Sequence, residues 1–259
     1  MLFTAEAMED VEAWALAGGT CVVYSGPSPE GGTNQDAAAV IPMDATTGVI
    51  AVADGLGGER GGARAAERAV RSLADAVRER EPGAPLRAAI LDGFEAANRA
   101  VESLAVGSTT LVVLAIENGE VRPYHVGDSS VLLCGGGGKL KLLTVSHSPV
   151  GFAVEAGVLD EEEAMHHEER HIVSNVLGSP DMRIEMGSRR ELAARDTVVL
   201  ASDGLLDNLH TDEVVELARR GDPVDAARSL VEAARRRMME PIEGAPSKPD
   251  DLTLALFRP

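Results

Sequence analysis

One run constrains this chain more than any other: Val49-Ile50-Ala51-Val52-Ala53-Asp54-Gly55-Leu56-Gly57-Gly58. Five apolar residues with no polar alternation read as a strand buried on both faces. That strand ends on a carboxylate, and ionised carboxylates are seldom buried unless paired or bound to metal. A glycine-rich turn follows, then a strongly helical segment. The pattern recurs at Val198-Val199-Leu200-Ala201-Ser202-Asp203-Gly204, and Pro249-Asp250-Asp251 precedes a third apolar run, Leu252 to Phe257. A lone Asp-Gly is an ordinary turn pair. Three acids at the ends of three strands, far apart in sequence, read instead as ligands converging on hard cations. Mg²⁺ and Mn²⁺ take oxygen ligands, keep several waters and need only a few carboxylates. Asp54, Asp203 and Asp250 fit that description, and Gly55 leaves its backbone carbonyl able to turn toward the metal.

The rest of the chain reads as a frame for those acids. Strands are predicted at Thr20 to Tyr24, Ala37 to Ile41 and Gly48 to Ala53, with the residues before Val11 weakly structured. Ala66, Ala69, Val70, Leu73 and Val77 form the stripe of an amphipathic helix, and Leu86, Ile90, Phe94, Ala97, Val101 and Leu104 form a second. After Gly107 the period returns to strands, an antiparallel meander through Thr144. Gly135 to Gly138 before Lys139 lacks the Ser/Thr and helix of a phosphate loop, so it reads as a hairpin turn. The segment 146–180 is polar and histidine-rich, with a helix expected over Val154 to His167. Strands at Arg189 to Leu192 and Thr197 to Ala201, helices capped at Thr211 and running from Val224 to Met239, and a closing strand complete an α+β order. Antiparallel sheets with helices on their outer faces follow from it. No internal repeat or long linker divides the chain, so residues 1–259 are expected to form a single domain.

Composition sets the limits on partners. With 42 Asp and Glu against 24 Lys and Arg, the net charge is −18. That excludes the basic surface that nucleic acid or an anionic membrane would need. The N-terminus has neither a basic region nor a long apolar run, so no secretory leader is expected. No run approaches a membrane span. Cys21 and Cys134 both fall in apolar strand-like runs and read as buried thiols in a reducing cytoplasm.

The ordered series Asn34-Gln35-Asp36, Asp54-Gly55-Leu56-Gly57-Gly58, Gly107-Ser108-Thr109-Thr110, Gly127-Asp128-Ser129, Leu143-Thr144, Ala201-Ser202-Asp203-Gly204-Leu205 and Asp250-Asp251-Leu252-Thr253 resembles the type 2C metal-dependent serine/threonine phosphatases. The likeness runs from Thr20 to Phe257. Within 146–180, Glu163-Ala164, His167, Arg170 and Leu177-Gly178 resemble the flap of bacterial members. The resemblance implies a β-sandwich of two antiparallel sheets flanked by pairs of helices, a four-layer αββα. It implies two Mn²⁺ or Mg²⁺ ions, Asp54 bridging them, the Gly55 carbonyl on one and Asp203 and Asp250 on the other. Asp36 would support metal-bound waters, and Asp128 matches the acid that joins a third ion in bacterial members. The activity implied is hydrolysis of phosphoserine and phosphothreonine on proteins by a metal-bridged water, in a cytoplasmic monomer opposing a Ser/Thr kinase.

Three departures qualify the resemblance. The family's phosphate-binding arginine position holds Gly31, its glutamate before the second acid is Gln35, and its Leu-Thr-x-Asp-His appears as Leu143-Thr144-Val145-Ser146-His147; Leu56 stands where many members carry histidine. Loss of a guanidinium that grips phosphate bidentately weakens substrate binding, and Arg60 and Arg64 are the nearest substitutes. Gly31 and Gln35 motivate one alternative, a catalytically silent member that binds phosphorylated partners. Another is a zinc protease, since His167-Glu168-Glu169-Arg170-His171 matches H-E-x-x-H. It needs a packed helix and a third ligand, and only His210 follows.

Overall fold

A computed structural model describes the chain except Glu161, Glu162, Met165, His166 and His171, and describes only the backbone of Glu59 and Arg60. Strands alternate their side chains between faces, and here both faces of each central strand are apolar. From Ala37 to Ile41, the odd-numbered residues Ala37, Ala39 and Ile41 join one core cluster, while Ala38 and Val40 join another. From Val49 to Ala53 the same division holds, with Ile50 and Val52 on the second side. A strand buried on both sides must lie between two layers, and that fixes the architecture.

The first sheet runs β1 (Leu2–Thr4), β4 (Ala37–Pro42), β5 (Thr47–Ala53), β8 (Leu111–Glu117), β9 (Glu120–Val126) and β12 (Glu185–Met186), with β13 (Arg190–Glu191) also on β9. The second runs β11 (Leu140–Leu143), β10 (Ser130–Cys134), β14 (Thr197–Ala201), β15 (Leu252–Arg258), β3 (Gly19–Gly26) and β2 (Glu12–Leu16). All pairings are antiparallel. A two-stranded ribbon joins β6 (Gly55–Leu56) to β7 (Ser108–Thr109). Helices α1 (Glu59–Arg78) and α2 (Leu86–Glu102) cover the outer face of the first sheet through Ala66, Ala69, Leu73, Ile90 and Phe94. Helices α5 (Thr211–Ala218) and α6 (Pro223–Met239) cover the second through Val214, Leu230 and Ala234. The middle layer, including Val23, Val52, Leu114, Leu200 and Phe257, is buried and apolar. This is the expected αββα sandwich.

Two further short helices are α3 (Pro149–Glu155) and α4 (Asp203–Leu206). The first corrects an expectation. The helix observed there runs Pro149–Glu155 where one was expected over Val154 to His167, because Ser148 caps it by accepting from the Gly151 amide at 2.8 Å; Glu161, Glu162, Met165 and His166 of the expected span lie outside the described residues. Proline at the first helical position suits that start. Gly157, at φ 67°, follows directly on its end. The residues before Val11 are also less loose than expected, since Leu2 to Thr4 pair with Ala37 to Ala39. Gly135 to Gly138 form the hairpin turn between β10 and β11. Both cysteines are buried and free. Among the described residues no helix is long and apolar enough to cross a membrane.

Candidate metal centre

The acids named from the sequence arrive from both sheets at one rim. Asp36 precedes β4 and Asp54 follows β5, while Asp203 follows β14 and Asp250 lies two residues before β15. Asp128 sits in the tight link from β9 in the first sheet to β10 in the second. Asp36 is only 1% exposed and forms the floor, whereas Asp54, Asp128, Asp203 and Asp250 are partly open above it. Burial first, then the charges of Asp203, Asp36, Asp128 and Asp250, pushes the Asp54 carboxyl well above its ordinary range.

Hydroxyls pin this arrangement. Thr110 Oγ1 accepts from the Asp54 amide at 2.9 Å, and Thr109 Oγ1 donates to the Asp54 carbonyl at 2.7 Å. Thr110 Oγ1 and Ser129 Oγ lie 2.6 Å apart, tying the strand end to the Asp128 link. Ser202 Oγ donates to Asp36 Oδ2 at 2.7 Å and accepts from the Thr253 amide at 3.0 Å. The Ser-Thr-Thr, Asp-Ser and Ser-Asp-Gly motifs therefore supply the scaffold of the acids as well as the acids themselves. Gly55 is required by close packing: a Cβ there would strike the backbone of Gly62 at the start of α1.

Asp251 holds loops. Its two carboxylate oxygens accept from the amides of Ser28 (2.8 Å) and Gln35 (2.7 Å), closing the loop that carries Gly31. Gly31 itself, at φ 92°, faces open space. Arg64 is exposed on α1, and the side chain of Arg60 lies outside the described residues.

The electrostatics match the donor set of a hard cation. Burial, then neighbouring carboxylates, raises Asp36, Asp203 and Asp250 as well, and lifts Asp128 to about 7. Asp36 Oδ1 and Asp128 Oδ1 are buried with no hydrogen-bond partner. Unpaired buried carboxylate oxygens are costly, and a divalent ion with its waters would satisfy them. The residues present fit such a group. Sequence reasoning missed two members of the site, Asp207 and Lys248. Lys248 Nζ lies 2.7 Å from Asp203, 3.0 Å from Asp207 and 2.8 Å from Asp250. Asp207 was readable, since it stands one helical turn after Asp203; nothing in sequence flags Lys248.

A second cluster, His125, His147 and Glu185, has ligand-type atoms within 4.8 Å of one another. Its hydrogen bonds assign it another task. His147 Nδ1 accepts from the Gly127 amide (3.0 Å) and from Asn175 Nδ2 (2.9 Å), so the ring proton sits on Nε2 and points at Glu185 Oε2, 3.1 Å away. Asn175 is oriented by the Arg183 amide, which donates to its Oδ1. Both ring nitrogens of His147 are engaged, Nδ1 in fixing the link before Asp128 and Nε2 with Glu185. In the flap, residues 168–170 form a turn, which breaks the one-face helical spacing that His167-Glu168 would need for zinc. His166 and His171 lie outside the described residues.

The family profile described as protein phosphatase 2C matches residues 28–239. This chain belongs to the protein phosphatase 2C family. The match contains Asp36, Asp54, Asp128 and Asp203 and stops short of Asp250. Among curated relatives, the protein phosphatase PhpP of Streptococcus pneumoniae is 31% identical over 202 residues, 72% of this chain and 79% of that protein. The serine/threonine protein phosphatase PstP of Mycobacterium tuberculosis is 28% identical over 195 residues, which are 73% of this chain but 37% of PstP. This chain thus spans well under half of that relative's length. Among solved structures, the Streptococcus agalactiae serine/threonine phosphatase superposes with a TM-score of 0.80 at 27% identity, covering 92% of this chain and 98% of that one. The PstP catalytic domain in complex with two manganese ions gives 0.75 at 25% identity, covering 92% and 96%. The αββα sandwich found here is the fold of these solved serine/threonine phosphatases.

Proposed function

We propose that this protein phosphatase 2C hydrolyses phosphoserine and phosphothreonine on proteins, using two Mn²⁺ or Mg²⁺ ions. The observation that carries the reading is the convergence of Asp36, Asp54, Asp128, Asp203 and Asp250 from both sheets, with two buried carboxylate oxygens unpaired. Asp54 and the Gly55 carbonyl would hold one ion, Asp54, Asp203 and Asp250 the other, and Asp36 the surrounding waters. Asp128 with Asp203 would take a third. Bound ions would supply charge that eases deprotonation of the attacking water and neutralises the phosphoryl oxygens. The chain's part is to hold the carboxylates in place before substrate arrives, so no reorganisation is needed during reaction.

Beside the acids lies a cleft of about 410 Å³ lined by Asp128, Asp203 and Asp207 and by apolar Val150, Val154 and Leu206. It is walled by α3 and α4, and it suits a peptide segment flanking the phosphoresidue. We read residues 1–259 as one domain with a flap at 146–180. Free buried thiols and the acidic surface support a cytoplasmic monomer that opposes a Ser/Thr kinase and binds neither nucleic acid nor membrane.

The test is hydrolysis of p-nitrophenyl phosphate with Mn²⁺ and with EDTA. Turnover only with Mn²⁺ is expected. Metal binding without turnover would favour the silent phosphoprotein binder that Gly31 motivates.

Protons and metal compete here. The raised carboxylates hold protons above their ordinary range in the folded, metal-free protein, Asp128 up to about pH 7, while unfolded ones release theirs near pH 4. Between those values the folded state binds more protons, so metal-free stability from these groups falls as pH rises. Cations replace those protons. The gap in thermal midpoint between Mn²⁺-loaded and EDTA-treated protein is therefore expected to widen from pH 6 to pH 8, and a gap that narrows would contradict the assignment.

A further inference from the structure

Lys248 is the one cation among the described residues that bonds to the acids of the rim, and it does so with all its capacity. An ammonium has three N–H donors, and three carboxylates surround this one, Asp203 and Asp250 among them. Exposed lysines usually wander and contribute little through ion pairs. This one is delivered by its backbone. The Lys248 amide donates to Asn208 Oδ1, and Asn208 Nδ2 donates to the Lys248 carbonyl, each at 2.9 Å. Asn208 is fully buried and also bonds to the Gly204 carbonyl, so the lysine is fastened to α4, the helix that begins at Asp203. Pro249 then restricts the chain between Lys248 and Asp250.

We propose that Lys248 is a tethered counter-ion that competes with the divalent cation for Asp203 and Asp250, so that metal loads this pair by displacement. The proposal rests on the reading that these two acids hold a metal ion. An ammonium donates hydrogen bonds and offers no lone pair, so it cannot join a coordination shell. Two cations on the same carboxylate oxygens also repel each other strongly at such separations. Without metal, Lys248 offsets the mutual repulsion of Asp203, Asp207 and Asp250. With metal, it must leave them. The site therefore fills only above a threshold of cation concentration that the lysine sets.

The test is calorimetric titration of Mn²⁺ into the EDTA-stripped full chain, beside thermal unfolding in EDTA. In Lys248→Met, the Mn²⁺ association constant of the affected step is expected to rise by about tenfold or more, while the midpoint in EDTA falls. Lys248→Gln keeps donors and removes only the charge, so it carries the same expectation where the methionine variant does not fold. Lys248→Arg keeps the charge and is expected to gain no affinity. Wild-type or weaker Mn²⁺ binding in folded Lys248→Met and Lys248→Gln overturns the tethered counter-ion and leaves the metal site standing. Absence of Mn²⁺ binding in wild type and variants alike removes both.

Discussion

Asp203→Asn is expected to reduce Mn²⁺-dependent kcat/KM by about 10³-fold without weakening the fold. A metal ion contributes several kcal/mol of charge stabilisation to a phosphoryl-transfer transition state, and each ~1.4 kcal/mol is tenfold in rate. Asparagine keeps the shape and one oxygen but loses the charge that holds the cation, so the loss is near the full amount. Stability moves the other way from what a core substitution would do. Asp203 is destabilised as an anion by burial and by Asp207, only partly offset by Lys248. A neutral isostere relieves that repulsion, so the midpoint in EDTA should hold or rise. Steady-state kinetics with p-nitrophenyl phosphate and thermal scans of the same sample check both halves. A variant that keeps a tenth or more of the activity would show that Asp203 is not a metal ligand.

Phe94→Ala is expected to do the reverse, lowering unfolding free energy by about 3–5 kcal/mol while sparing the chemistry of whatever remains folded. Phe94 is fully buried on α2 and shares its cluster with Leu73, Ala51 and Ala53. That cluster includes many alanines, which have no side-chain reach with which to fill a hole. The cavity therefore stays open, and cavity volume adds to the lost transfer energy. Urea denaturation followed by circular dichroism gives the number. A cost under about 1 kcal/mol would mean that the helix layer collapses onto the sheet more freely than its packing suggests.

The two variants separate what was legible in the sequence from what was not. The sandwich was legible because Ala37 to Ile41 and Val49 to Ala53 carry apolar residues on both faces, which only a buried strand requires. The acids were legible because Asp54 and Asp203 break apolar runs at their ends. Helix α3 was misplaced because glycine inside it masks a Ser-Pro start. The short strands β1 and β2 were missed since they pair at the edges and carry little pattern. Lys248 and Asp251 were unreadable as site residues for a different reason. Apart from neighbouring Asp250, Lys248 depends on Asp203, 45 residues away, and Asp251 holds amides 216–223 residues away, and no local spacing encodes that.

The acids stand on opposite leaves of the sandwich, Asp36 and Asp54 on one, Asp203 and Asp250 on the other, with Asp128 in the link between them. On the proposed assignment the ion shared by Asp54, Asp203 and Asp250 is a rivet through that seam. Parting of the sheets at this rim and departure of that ion then become coupled events, so whatever holds the seam shut also slows the rate at which a chelator can strip it.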